Sequence, residues 1–298
     1  MAYNQLSMTS NEALKSAFCA TDSAHDLDGQ GFVVLDSFIE PGELPQIREI
    51  LESTLRLPRE QVCQRPHNTL IPLRWNHAIV QTVLNSARRR QLLSRATEAA
   101  DLRWISGYIS IKEPYSPALW WHQDWWCWDH AASYRRAPVQ LAVLCYLSET
   151  NMDNGALRVL PGSHHHSAPI HALLPDAHSK TAEELESTHA AMSNLSGQVT
   201  ISAQPGDAVV LDYRLLHGTH PNYGPLRRDC ILLSFTPSWR QLPEDLRAHL
   251  IRHPAQPAEN ETASASSPIS DLLPSFYGQR RDLPLNRNAP ASFEVMDD

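Results

Sequence analysis

Two residues with the chemistry of metal ligands stand two apart in the segment Trp120-Trp-His-Gln-Asp-Trp-Trp-Cys-Trp128. On an extended strand, side chains at i and i+2 share one face with Cα atoms roughly 6.6 Å apart, so His122 and Asp124 can converge on one ion. One further His from elsewhere would complete a set of two imidazoles and one carboxylate. Such a set leaves three positions open on an octahedral ion, the arrangement that suits non-haem Fe(II) oxygenases. In a chain with 15 His, however, a lone His-x-Asp also reads as a surface His beside an unrelated Asp. The pair gains meaning only from a partner segment.

That segment is Pro205-Gly-Asp-Ala-Val-Val-Leu-Asp-Tyr-Arg-Leu-Leu-His-Gly-Thr-His-Pro-Asn222, a Pro-Gly turn feeding an apolar strand that ends at His217. Beyond it come a polar loop, Arg227, Arg228 and another apolar run. The order of His-x-Asp, a late His-Gly-Thr, Asn222 three residues after Thr219 and Arg228 eleven after His217 resembles the phytanoyl-CoA dioxygenase family. Asp153-Asn-Gly-Ala-Leu-Arg-Val-Leu-Pro-Gly-Ser-His164 and Leu27-Asp-Gly-Gln-Gly-Phe-Val-Val-Leu35 resemble it too, so the likeness spans roughly residues 27 to 236.

The resemblance implies a mainly β fold with flanking α-helices, a double-stranded β-helix of the jelly-roll or cupin-like kind. It implies that His122, Asp124 and His217 hold Fe(II), with 2-oxoglutarate as co-substrate and O2 as oxidant. Arg228 would pair with the distal carboxylate of 2-oxoglutarate, a task suited to the planar fork of Arg, with Thr219 assisting. Trp128 stands four residues after Asp124, where ectoine hydroxylases of the same family also carry Trp, and is placed to wall the metal pocket. The implied reaction is oxidation, by default hydroxylation, of an unactivated C–H bond in a small metabolite, with succinate and CO2 as co-products. Desaturation, ring formation and epoxidation share the same start. The alternatives are a cupin-like metal-dependent oxygenase or isomerase without 2-oxoglutarate, which has no need of Arg228, and a non-catalytic binding protein on the same barrel.

Several residues carry two readings. Arg227 and Arg228 point to opposite faces of a strand; the spacing favours Arg228 inward with Cys230, Leu232 and Ser234, leaving Arg227 beside Asp229. On the preceding strand Ser106, Tyr108, Ser110 and Lys112 alternate with Ile105, Gly107, Ile109 and Ile111. The polar face either meets water or lines the co-substrate pocket, with Tyr108 and Ser110 the better candidates. Trp125, Trp126 and Trp128 either stack on substrate or cover the barrel mouth as core aromatics. His164-His-His166 reads as a polar loop, since three consecutive side chains of an extended segment cannot all face one ion. His130 and His220 are read as neighbours of the site, not ligands.

The elements that must position these groups divide the chain. Residues 11–19, 42–55 and 76–100 have helical patterning and residues 31–36 read as a strand. From Leu102 onward short apolar runs at 103–112, 139–147, 156–160, 198–202, 208–211 and 230–236 alternate with Pro, Gly and Asn turns, the pattern of a β-sandwich or barrel. Residues 165–196 form a lid-like insertion with a helical patch at 181–192. The division is thus a domain over 1–253, a low-complexity linker at 254–268 and an extension over 269–298.

Composition bounds the rest. A net charge of −8 in 298 residues, pI near 6.0 and no long basic run argue against a nucleic-acid partner. No apolar run is long enough to span a bilayer and residues 1–15 lack a signal core, which points to a cytoplasmic protein acting on a small molecule. Five scattered Cys without a Cys-x-x-Cys pair indicate neither a disulfide framework nor a thiolate zinc site. Oligomeric state has no signal in the sequence.

Overall fold

The computed structural model describes residues 23–56, 63–64, 68–259, 261 and 267–296. The helix expected over 11–19 lies outside them. The chain opens with α1 (Ser23–Gln30), β1 (Phe32–Leu35) and α2 (Leu44–Arg56), followed by β2 (Cys63–Gln64) and β3 (Thr69–Leu73). The helix expected over 76–100 is two helices, α3 (Ala78–Leu84) and α4 (Ala87–Ala96). The break has a local cause: Ser86 leaves helical geometry and its hydroxyl accepts from Arg89 N, capping the second helix.

Eight further strands follow: β4 (Arg103–Lys112), β5 (Leu119–His122), β6 (Leu141–Tyr146), β7 (Leu157–Val159), β8 (Val199–Ile201), β9 (Ala208–Asp212), β10 (His217–Thr219) and β11 (Arg228–Thr236). They form two antiparallel sheets, a large one ordered β1-β9-β6-β11-β4-β3-β2 and a small one ordered β5-β10-β7-β8. Interleaved strand order across two facing sheets is the jelly-roll topology of a double-stranded β-helix.

Alternation along the strands builds two cores. Val209 and Leu211 of β9, Ala142 and Tyr146 of β6, and Cys230 of β11 pack with Leu157, Val159 and Ile201 of the small sheet. Their neighbours Ala208, Val210, Val143, Cys145, Ile231 and Leu233 pack with Ile47, Leu51, Ile79, Val83 and Leu93 of the helices. The large sheet is therefore buried on both faces. This explains why its strands read as continuous apolar runs and not as clean alternation.

One strand departs from simple alternation. The register of β11 on β4 shifts between Ser234 and Phe235, pairing them with Ser106 and Trp104. Ile105 is left in the bulge and joins the core between the sheets, while Ile109 and Ile111 join the core under the helices. Ile105 thus does not share their face, contrary to the alternation expected from sequence.

The segments outside the barrel also differ from expectation. The patch at 181–192 is helical only at α5 (Lys180–Glu183) and in a 3-10 turn at Ala190–Met192. Residues 254–256, expected to begin a linker, are fixed: Ala255 and Gln256 are buried, and the Gln256 amide donates to the carbonyls of Trp104 and Ile105. Residues 285–296 return along the barrel mouth, Asn286 N donating to Trp126 O and Val295 N to His165 O. No described helix is long and apolar enough to cross a membrane.

Candidate active site

The antiparallel pairing of β10 on β5 sets His217 directly opposite His122. That approach requires a residue without a side chain at Gly218, where a Cβ would lie 2.8 Å from Leu119 O and 2.9 Å from Trp120 O. Just past the end of β5, Asp124 follows on the same side. The imidazole Nε2 of His122 is 3.7 Å from Asp124 Oδ1, and that of His217 is 3.7 Å from Asp124 Oδ2. One donor atom from each of the three lies within 4.8 Å of the other two, a spacing that fits a single ion.

The two rings are fixed the same way. His122 Nδ1 donates to Trp120 O at 2.9 Å and His217 Nδ1 to Leu215 O at 3.0 Å, each a carbonyl two residues back. A carbonyl only accepts, so Nδ1 carries the proton and Nε2 offers its lone pair inward. Burial, and after it the neighbouring His217, pushes the His122 pKa well down and keeps that ring neutral. Burial alone would raise the Asp124 carboxyl, but the interactions around it, led by the hydrogen bond from His178, outweigh burial and hold it well below the usual carboxylate range. Two imidazoles and a carboxylate on one side of the site form a donor set that fits Fe(II).

The triad opens on a cavity of about 660 Å³. At one end stand Asn68, Tyr108, Ser110, Thr219 and Arg228. Arg228 is only 3% exposed; its Nη1 donates to Gly155 O at 3.1 Å, its guanidinium lies 5.5 Å from the Tyr146 ring centroid, and its Nε has no partner. Arg227 faces the other way and is paired with Asp229 and Glu52. Gly155 belongs to the Asp153-Asn-Gly turn: it sits at φ +85°, and a Cβ there would lie 2.7 Å from Lys112 Cγ. Thr219 Oγ1 accepts from Leu119 N at 3.4 Å.

At the other end the three Trp separate. Trp126 lines the cavity, its ring stacked at 4.4 Å on His249 and its Nε1 donating to Gln140 Oε1 at 2.9 Å. Trp125 is buried with its indole on Ser133 Oγ, and Trp128 is buried 4.8 Å from the Phe293 ring, so neither is among the cavity residues. Leu250, Arg252, His253, Asp282, Leu285 and Arg287 complete this wall. Arg252 is paired with Asp282 at 2.9 Å.

The His164-His-His166 run lies in a turn-rich loop, as expected, but His164 and His165 are buried, with His164 Nε2 on Asp28 O at 2.9 Å. His220 hydrogen-bonds Thr200, and His130 lies near Asp245; neither joins the triad. Sequence reasoning missed His178, whose Nε2 is 3.1 Å from Asp124 Oδ1, and the residues His249 and Arg287. None of these carries a local spacing signal: they reach the site from the insertion and from the segments after the barrel.

Comparison with known proteins agrees with this geometry. The family model described as phytanoyl-CoA dioxygenase matches residues 27–230. The ectoine dioxygenase of Nocardia farcinica is 23% identical over 223 residues, 70% of this chain and 74% of that one. The L-proline trans-4-hydroxylase of Streptomyces griseoviridis is 26% identical over 147 residues, 42% of this chain and 50% of its own. Among solved structures, HygX from Streptomyces hygroscopicus with nickel, 2-oxoglutarate and hygromycin B superposes with a TM-score of 0.54 at 20% identity, covering 73% of this chain and 87% of that one. The chain belongs to the phytanoyl-CoA dioxygenase family.

Proposed function

We propose that the protein is an Fe(II)- and 2-oxoglutarate-dependent dioxygenase that oxidises, by default hydroxylates, a C–H bond of a small metabolite. The observation that carries this reading is the joint placement of the His122, Asp124, His217 triad and a buried arginine in one cavity. A guanidinium 3% exposed, with Nε unpartnered and no carboxylate on it, is costly unless an anion completes it. The distal carboxylate of 2-oxoglutarate is an anion of the right kind, and a metal enzyme without that co-substrate has no use for Arg228. Bound iron and 2-oxoglutarate supply the activation of O2, with succinate and CO2 as products.

The chain's own part is binding, orientation and exclusion of water. His122, Asp124 and His217 hold the ion from one side. Arg228 and Thr219, with Tyr108 and Ser110 on the adjoining wall, receive the co-substrate. The opposite wall receives the substrate: the Trp126 and His249 stack, Leu250 and Leu285 suit a compact apolar or aromatic body. Arg287 makes no hydrogen bond or ion pair among the described residues and suits an anionic group on that body. The related ectoine dioxygenases and L-proline trans-4-hydroxylase carry names of small zwitterionic substrates, which supports a metabolite of this class. A soluble, cytoplasmic enzyme is consistent with these properties.

Oxygen uptake by the purified protein tests the assignment. Uptake that needs both Fe(II) and 2-oxoglutarate is expected. Equal uptake with Fe(II) alone would instead place the protein among metal oxygenases that dispense with the co-substrate.

A further inference from the structure

The segment between β7 and β8 crosses the mouth of the barrel and is clamped to the metal strand at two points. Ala182 and Ala191 pack on Trp120, and Trp121 Nε1 donates to Ser193 O at 2.8 Å. Arg158 adds bonds to Ser193 O and Met192 O. Just before the clamped stretch, Ala177 is buried and His178 takes φ +64°, a left-handed backbone uncommon for a residue with a Cβ. An outlier of this kind persists where surrounding contacts hold it and often marks a functional position. Its ring stands edge-on to His122 with centroids 5.1 Å apart, and its Nε2 is 3.1 Å from Asp124 Oδ1.

Resting on the metal assignment above, we propose that His178 is a positioning residue that holds Asp124 to one-oxygen ligation of the iron. A free carboxylate beside a divalent ion can bind through both oxygens and so fill a coordination position. A carboxylate that ligates an ion only accepts hydrogen bonds, so the 3.1 Å contact is a donation from His178 Nε2 into Oδ1. Oδ1 and Oδ2 each stand 3.7 Å from one imidazole Nε2, so the bond from His178 to Oδ1 is what leaves Oδ2 as the oxygen for the ion. The strap thereby keeps open the position that a chelating co-substrate needs. A bond of this kind to a ligating group is typically worth about 10–100-fold in affinity or activity.

The test uses the full chain loaded with Co(II), in His178→Ala and His178→Gln. In H178A the Co(II) absorption spectrum should change as the carboxylate becomes two-oxygen bound, and 2-oxoglutarate affinity should fall by about 10-fold. H178Q keeps an N–H donor and should recover both the spectrum and the co-substrate affinity. The Co(II) spectrum without 2-oxoglutarate reads carboxylate ligation by itself, so it decides the role of His178 even if the wild type fails to bind the co-substrate. An unchanged spectrum in H178A would overturn the proposal. So would an H178Q spectrum that stays like that of H178A, since the retained N–H donor would then not set the carboxylate's ligation.

Discussion

At the scale of single residues, two adjacent arginines differ in every property that decides anion binding. Arg228 is buried in the metal cavity with a donor to spare, whereas Arg227 is half exposed and already paired with Asp229 and Glu52. A charge-assisted bond in a desolvated site is worth about 1.5–3 kcal/mol, against at most about 1 for an exposed pair. Arg228→Ala should therefore raise the KM for 2-oxoglutarate about 10–100-fold, and Arg227→Ala less than about 5-fold, in steady-state succinate assays. The reverse order would put the co-substrate elsewhere. The alternation of β11 was readable in the sequence because a strand has a strict period of two. His178 and Arg287 were not readable, because no period links them to the metal strand.

At the scale of elements, the turn before β7 shows what a small residue does for the site. Gly155 provides the carbonyl that Arg228 grips, and its missing side chain is the space Lys112 occupies. Gly155→Ala forces a Cβ into Lys112 at φ +85° and should weaken 2-oxoglutarate binding as well as lower the Tm by several degrees. Unchanged binding in a folded variant would detach the turn from the arginine. On the opposite wall, Trp126→Ala removes both the stack on His249 and the bond to Gln140. It should depress product formation while succinate production persists; a wild-type succinate-to-product ratio would make Trp126 packing alone. The strand-and-turn code located most barrel strands to within a few residues, but β5 was read as extended only from the His-x-Asp spacing, because its Trp-rich run, buried at Trp120, Trp121 and His122, lacks alternation. The Ile105 bulge broke the period that the sequence suggested for β4.

At the scale of the whole molecule, the segments after the barrel are part of one packed body. Gln256 bonds β4, and Phe293 packs on Trp128. Low complexity at 254–268 suggested a linker, yet its first residues are pinned by contacts with β4 and Trp75 that composition does not encode. The same packing imposes a cost at Lys112, fully buried with its Nζ donating to the Pro117 carbonyl. Burial first, then Arg228 and Arg158, depress its pKa to about 6. An unfolded lysine titrates near 10.4, so between these values the unfolded chain binds the extra proton and stability rises with pH. Lys112→Met should relieve this penalty, with a gain on the order of 2 kcal/mol at pH 7 that shrinks toward pH 10, read by denaturant unfolding at both values. An equal effect at both would show that the lysine is charged in the folded protein.

The most direct measurement of the central claim is release of labelled CO2 from C1 of 2-oxoglutarate, matched against succinate, in wild type and in His122→Ala, Asp124→Ala and His217→Ala. The wild type should release CO2 and succinate in equal amounts only with Fe(II) and O2 present, and each variant should lose that turnover while circular dichroism shows the fold retained. Wild-type release by all three variants, or none from the iron-loaded wild type supplied with 2-oxoglutarate and O2, would contradict the account.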